Sequence, residues 1–533
     1  MKGMTTRQRW TLIAAILGSG IVFLDSTVVN VALPKIGREL PSSLFGVLEG
    51  QSYVYNGYLL TVSALLILAG ALNDFFGRKR MFTLGLVGFL VTSLLCGLAP
   101  NMELLILFRI LQGVAGALLV PGSLALLTVT FSGEAQGRAF GLWAAASAAT
   151  TILGPFVGGS LVDSISWRAA FLINVLLLIA IWATVRYIEE SRAEGASGRF
   201  DWLGAFVVAV AVGGLSFGAI YGQQREWKDP IGFVLLGAGA LATIALPFLM
   251  IRRADPLIPP ELFRSRNFTV TNISTFLIYG ALYVVGYFLT LFVQGTIGFS
   301  AAAAGLGFVP AGLFLVFFSA RFGALAGKYG PRLFMAVGPA IMTLGILWYA
   351  RIPATTARWL FTFADPGTYL PPASFLVDIL PGALLFGLGL SILVAPLTTA
   401  LMTSVPSRNS GVASAINNAI SRVGPQLAGA VIFIAITTSF YAGLHDRVPQ
   451  LDPNDPFVRK NYAPLNVPWP TENQSVPQAR IRELEAQRDA SADAFHLAML
   501  IAAGLLAAGA VVNALGIQNT PGPQSADTAR ATA

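Results

Sequence analysis

Charge is scarce in this chain: 11% of its 533 residues are Asp, Glu, Lys or Arg, against 55% apolar residues. A soluble chain of this length needs far more charge to cover its surface, so the solvent for most of this sequence is lipid. Cysteine is scarcer still. Cys96 stands alone inside an apolar block, which excludes an intramolecular disulfide and a cysteine zinc site. The two histidines, His445 and His496, are isolated, and no metal is expected. The alternating strands of about ten residues that build an outer-membrane barrel are missing. The net charge of +8 lies in short loops with no basic stripe, so no nucleic-acid partner is expected. A phosphate loop is absent too, because GALAGKY at Gly323 is one residue short and carries Tyr329 where Ser or Thr would stand. ATP hydrolysis is excluded.

What the chain has is a series of apolar blocks, each long enough to cross ~30 Å of hydrocarbon as a helix. Mean hydropathy is +0.70. Spans fall near 10–33, 50–72, 82–99, 103–131, 139–162, 168–187, 201–222, 231–251, 268–294, 302–326, 332–350, 377–404, 410–440 and 493–517. The first follows Lys2, Arg7 and Arg9 as a signal peptide would, but it is too long and contains Asp25, so it reads as an uncleaved span. Arg78, Lys79, Arg80, Arg186, Arg192, Arg199, Arg252, Arg253, Arg264 and Arg266 fall in loops on one side. The other side is sparser in short-loop cations, with Lys35, Arg38, Arg168, Arg225, Lys228, Arg351 and Arg358. The positive-inside rule makes the first side cytoplasmic, and fourteen spans return both termini to it. Two longer loops, 352–376 and 441–492, fall outside. The second is polar and proline-rich, has helical Glu/Arg spacing from Gln478 to Asp489, and is the candidate surface for an extracytoplasmic partner. The small, polar tail 518–533 is expected to be disordered.

The chain also repeats itself. The Gly70–Gly77 segment is echoed at Gly323–Gly330, and VPGSLALLT from Val120 at Ala395. Arg138 precedes Gly154-Pro155, and Arg408 precedes Gly424-Pro425, by the same 16 residues. Two six-helix halves, 1–190 and 268–517, with two further spans in a 191–267 linker, account for these echoes. Parallel repeats of this kind place a site between the halves near the midplane.

Four segments carry a family resemblance. GALNDFFGRKR from Gly70 is similar to the loop signature of major facilitator transporters, and RILQGVAGA from Arg109 resembles their fourth-helix motif. LGPFVGG from Leu153 resembles the fifth-helix motif associated with exporters, and LDSTVVNVALP from Leu24 the first-helix signature of the fourteen-span drug:proton antiporters of the EmrB and QacA type. The resemblance covers residues 10–517. It implies an all-α membrane protein of the major facilitator fold, with two six-helix bundles and two inserted helices. It also implies a multi-pass protein of the bacterial cytoplasmic (inner) membrane that is no enzyme. The expected function is proton-coupled multidrug efflux by alternating access, with the proton gradient as energy source and no cofactor. The expected partners are protons, the lipid bilayer and a small apolar or cationic substrate. Export of a lipid, a siderophore or a secreted metabolite would use the same machinery. A non-transporting sensor is the other reading, and the polar pair and both Gly-Pro helices argue against it.

Asp25 and Arg109 are the informative pair. A charge buried in lipid costs several kcal/mol and needs a partner or an aqueous cavity. Helix rise puts Asp25 about 12 Å and Arg109 roughly 9 Å below the outer end of their spans, and the implied fold sends both spans to one cavity, which makes them the proton-coupling candidates. Asp74, Gly77 and Arg78 form a loop where Asp74 can pair with a guanidinium or cap a helix. Cationic Arg78 also serves orientation, and the resemblance adds a latch on the cytoplasmic side. Arg138, Gly154, Pro155 and Gly158, with Arg422, Gly424 and Pro425 in the second half, complete the gating candidates. The small residues permit close helix packing, and the resemblance adds a kink that limits leak. Tyr279, Tyr283 and Tyr287, with Phe276 nearby, make a stripe over ~12 Å of depth. Packed core is one reading of it; stacking and cation–π contact with a substrate is the other. Arg422 lies about 18 Å into its span, with Asn417 and Asn418 one turn away. The second half offers no clearly intramembrane carboxylate, so proton chemistry is expected in the first.

Overall fold

The computed structural model describes residues 4–44, 47–131, 133–192, 200–225, 227–253, 256–362, 365–406, 409–468 and 477–519. Among these described residues seventeen α-helices follow in order: α1 (Thr6–Glu39), α2 (Val47–Phe76), α3 (Arg78–Gly97), α4 (Met102–Thr130), α5 (Gly133–Ser164), α6 (Ala169–Leu172), α7 (Leu177–Tyr187), α8 (Trp202–Gln224) and α9 (Pro230–Ile251). The remainder are α10 (Arg266–Leu291), α11 (Ala301–Tyr329), α12 (Pro331–Tyr349), α13 (Ala373–Asp378), α14 (Leu380–Thr403), α15 (Ser410–Arg447), α16 (Pro456–Asn461) and α17 (Gln478–Gly516). Side-chain caps start them where the chain leaves a loop: Asn101 accepts from the Leu104 N–H at 2.9 Å, and Asp201 from that of Gly204 at 2.9 Å. A 3-10 turn, Ile173–Leu176, joins α6 and α7 into one span.

Thirteen helices among the described residues are long and apolar enough to cross a membrane. The expected span at 139–162 coincides with α5, a 32-residue helix that is not among them. The architecture is all-helical, as expected.

Within the first half α1 packs on α4, α5 and α7, while in the second α10 packs on α15 and α17, and α12 on α14 and α17. Of the two faces of the bundle, the proximal one is that on which α1 begins. There the halves share one apolar core, which joins Leu124, Leu127 and Phe140 to Leu401, Val412 and Ala415. At the distal face each half keeps a core of its own, around Val28, Ile36 and Trp167 in the first and Phe292, Tyr441 and Phe495 in the second. The structure is therefore closed proximally. The α8–α9 hairpin is cemented by glycines and docks through α8 against α2 and α15, at the seam between the halves. A Cβ on Gly214 would come within 2.9 Å of the Gly239 Cα.

The turns that open α3 and α12 match. Gly77 has φ +113° and Gly330 φ +86°, a region that suits glycine. Glu190, just past α7, accepts from the Lys79 and Arg80 N–H groups at 3.0 Å each. Asn519, just past α17, accepts from the Arg332 N–H at 3.2 Å. The internal echo of the sequence is thus an echo in three dimensions.

The described parts of both longer loops fold over the second half. Trp359 is buried and donates to the Thr368 carbonyl at 2.9 Å. Within residues 441–492, α17 starts at Gln478, where the Glu/Arg spacing predicts helix, and α15 runs on to Arg447, past its expected end at 440. The Arg, Glu, Gln and Ala of 478–492 are strong helix formers, so the helix continues past its apolar block. Between them Tyr462 and Leu465 are buried against the same chain, and the Val467 N–H donates to the Gly295 carbonyl at 2.8 Å. Gln518 and Asn519, the first residues of the tail expected to be disordered, are instead ordered by hydrogen bonds to Asn267 and Arg332, and residues 520–533 lie outside the described part.

Candidate functional site

Asp25 and Arg109 meet. They form an ion pair between α1 and α4 in which both side chains are fully buried. Each Asp25 oxygen is engaged: Oδ2 by Arg109 Nη1, and Oδ1 by Gln112 Nε2 and Asn174 Nδ2 at 3.1 Å each. Gln112 Oε1 accepts from Arg109 Nη1 at 2.7 Å, so the amide bridges anion and cation. Gln112 also donates to Ser93 Oγ at 3.2 Å. Arg109 Nε donates to the Val54 carbonyl at 3.1 Å, and the guanidinium lies over the Tyr58 ring at 4.1 Å from its centroid. Tyr58 is itself fixed by donating to the Val22 carbonyl at 3.1 Å.

Four helices and the 3-10 turn thus converge on one carboxylate. Desolvating two charges is repaid only with good geometry and satisfied lone pairs, and the amides and the serine supply the latter. Two polar atoms remain without a hydrogen-bond partner among the described residues, Arg109 Nη2 and Asn174 Oδ1. Gln112, Asn174, Ser93 and Tyr58 were not singled out from sequence. Gln112 carried a signal, since it sits one turn from Arg109 in the same motif. Asn174 carried none.

At the proximal face Asp74 pairs with Arg78 at 2.9 Å, both largely buried. The carboxylate also faces the backbone N–H groups of Gly411 and Val412, in the first turn of α15. It therefore pairs with a guanidinium and sits against the first turn of a helix of the other half, where the helix dipole favours an anion, while Asp74 Oδ2 has no hydrogen-bond partner among the described residues. A Cβ on Gly411 would stand 2.5 Å from Asp74 Oδ2, and one on Gly70 would stand 2.5 Å from the Ala415 Cβ. Arg138 is exposed near the start of α5.

Gly154 and Gly158 hold α5 against α1. A Cβ on Gly154 would collide with the Thr27 hydroxyl, and one on Gly158 would lie 2.9 Å from the Val28 Cα. Pro155 lies in the same helix; its ring contacts fall outside the described residues. In the second half Gly424 faces α10, where a Cβ would meet the Phe276 carbonyl at 2.7 Å, and Pro425 follows inside α15. Backbone cannot yield as a side chain can. Gly158→Leu is expected to drive α1 off α5, displace Asp25 one turn away, and lower stability by about 1–3 kcal/mol. Thermal melting and export assays check this, with Gly154→Ala as the milder case.

The aromatic stripe is only partly brought into view. Tyr279 is half-buried and packs on the second-half core, whereas Tyr287 is 57% and Phe276 37% exposed. The side chain of Tyr283 lies outside the described residues. Arg422 is half-buried on α15, within electrostatic reach of Tyr58. Asn417 has turned away from it to α10, where it donates to Asn272 at 3.1 Å and Thr275 at 2.8 Å. No group of three or more His, Cys, Asp or Glu residues among the described residues could hold a metal.

A family model, Major Facilitator Superfamily, matches residues 15–429. The chain is 33% identical over 435 residues to the methylenomycin A resistance protein of Bacillus subtilis, covering 81% of this chain and 89% of that one. It is 30% identical over 514 residues to the multidrug resistance protein Stp of Mycobacterium tuberculosis, covering 95% and 91%. The tetracenomycin C resistance and export protein of Streptomyces glaucescens is 31% identical, covering 82% and 77%. Among solved structures, a double-tryptophan variant of XylE aligns with TM-score 0.57 at 14% identity, over 97% of each chain. The human organic anion transporter TETRAN aligns with TM-score 0.55 at 14% identity, over 94% of this chain and 100% of that one. With its family model, its relatives and its fold in agreement, this chain belongs to the major facilitator superfamily.

Proposed function

We propose that this secondary transporter is a proton-coupled efflux protein that exports small apolar, aromatic molecules across a bacterial cytoplasmic membrane by alternating access. The observation that carries the reading is the fully buried Asp25–Arg109 pair inside two spans. The names of its relatives, which are resistance and export proteins for several antibiotics, support efflux. On this reading the chain makes fourteen spans, counting α5, with the proximal face cytoplasmic, and the described part of 441–492 packs on its own second half.

The proposed cycle follows from charge. In the proximally closed state the route to Asp25 runs from outside. Proton binding there removes the anion and leaves Arg109 with neutral partners, the Val54 carbonyl, Gln112 and the Tyr58 ring. A buried cation without its anion is costly, so protonation destabilises this packing of α1 against α4 and favours the other state. Opening of the proximal face breaks the Asp74 contact with α15. The proton then leaves inward, Asp25 recovers its pair, and substrate is taken up for export.

Purified protein in liposomes tests the whole reading. An imposed pH gradient is expected to drive accumulation of a fluorescent aromatic substrate, and collapsing it with a protonophore to stop accumulation. Transport indifferent to the gradient would remove Asp25 from the coupling role.

A further inference from the structure

We infer that Arg422 forms a subsite for an anionic group, so that the preferred cargo is an aromatic compound bearing an acid rather than a cation. The inference rests on the export reading and narrows its substrate class.

The orientation of Arg422 follows from the faces of α15. Asn417, Gly424 and Ala428 turn toward α10: Asn417 bonds Asn272 and Thr275, Gly424 abuts the Phe276 carbonyl, and Ala428 lies against Gly280. Gly411 and Ala415 turn toward α2 of the other half, against Asp74 and Gly70. Helical periodicity puts Asn418, Arg422 and Gln426 on that second face, one turn apart and leading toward the membrane middle. Near the proximal end the face is sealed against α2. At the edge of the apolar core that the halves share, which takes in Tyr58 on α2 and Ala419 on α15, Arg422 lies within electrostatic reach of Tyr58, and farther along the halves keep separate cores.

No ion pair or hydrogen bond joins Arg422 to another of the described residues. The carboxylates that could compensate it are committed elsewhere, Asp25 to Arg109, Gln112 and Asn174 behind the Tyr58 ring, and Asp74 to Arg78 at the proximal face. The carboxamide oxygen of Gln426, one turn on, is buried without a partner among the described residues. A guanidinium is permanently charged and presents forked donors that fit a carboxylate or sulfonate. Held half-buried in the membrane with no anion paired to it among the described residues, it favours an anion arriving with the cargo, and Phe276 and Tyr287 on α10 of the same half are exposed aromatic residues.

Three probes share one ring and differ in charge: naphthoate, naphthylmethanol and naphthylmethylammonium. Binding to the purified full chain in detergent at neutral pH is expected to be tightest for naphthoate. Arg422→Gln is expected to weaken naphthoate about tenfold or more while leaving the neutral probe within about twofold. Arg422→Lys keeps the charge and is expected to retain most of the preference. An equal loss for all three probes, or a wild type that prefers the ammonium, would overturn the subsite. The export reading is separated by transport: Arg422-dependent naphthoate binding with no gradient-driven movement keeps the subsite and sinks the export reading.

Discussion

Asp25→Asn is expected to abolish gradient-driven export while the protein still inserts. Asparagine has the size of aspartate and can accept from Arg109, and a flip of the Asn174 amide would turn its unpartnered Oδ1 toward the new donor. What is lost is the titratable proton and the anion. Removing one partner of a buried pair costs about 3–5 kcal/mol, because the other charge stays behind. The variant should therefore melt at a lower temperature than wild type. A second variant separates stability from coupling. Asp25→Asn with Arg109→Gln removes both charges, and it should recover much of the lost stability with no recovery of coupled export. Substrate accumulation in liposomes and thermal melting of the same preparations give the two readouts. An Asp25→Asn protein that still concentrates substrate against its gradient would exclude Asp25 as the coupling group.

The second large effect is expected at the proximal seam. Gly70→Leu places a side chain where a single Cβ already stands 2.5 Å from the Ala415 Cβ and 2.8 Å from the Gly411 carbonyl. The clash exists only while α2 and α15 touch, so it penalises the proximally closed state and spares any state in which they part. A penalty of about 1–3 kcal/mol shifts the balance between the two states about 5- to 150-fold. Val405 is buried in the apolar core that the halves share at this face. Val405→Cys should react slowly with a maleimide in the parent and quickly once Gly70→Leu is added. The native thiol, Cys96, is buried and should stay silent. Export should fall with it, since a transporter biased to one face cannot complete the cycle. Unchanged protection of the Val405→Cys thiol would show that α2 and α15 absorb the leucine without parting.

The amino-acid sequence by itself determined the lipid solvent, the helical spans and the repeat, because apolar blocks, loop cations and glycine turns act through local periodicity. It also pointed to the charges that pair inside the bundle. Asp25 and Arg109 were legible because a charge in an apolar span is rare, and helix rise alone gives its depth. Rotation about the helix axis is not given by depth, and that is where sequence stopped. Ser93, Gln112 and Asn174 are neutral polar residues of a kind that spans carry freely, and only the meeting of α1, α3, α4 and the turn after α6 gathers them on Asp25. Asn417 and Asn418 looked alike beside Arg422, yet one bonds α10 and the other shares the face that turns to α2. The inserted pair was countable from hydropathy, but its seat against α2 and α15 was not. Which face of the bundle is closed was decided by tertiary structure alone. On the alternating-access reading both states use the same helices, and they differ in which weak contacts between the halves, such as Asp74 against the first turn of α15, are made at the time.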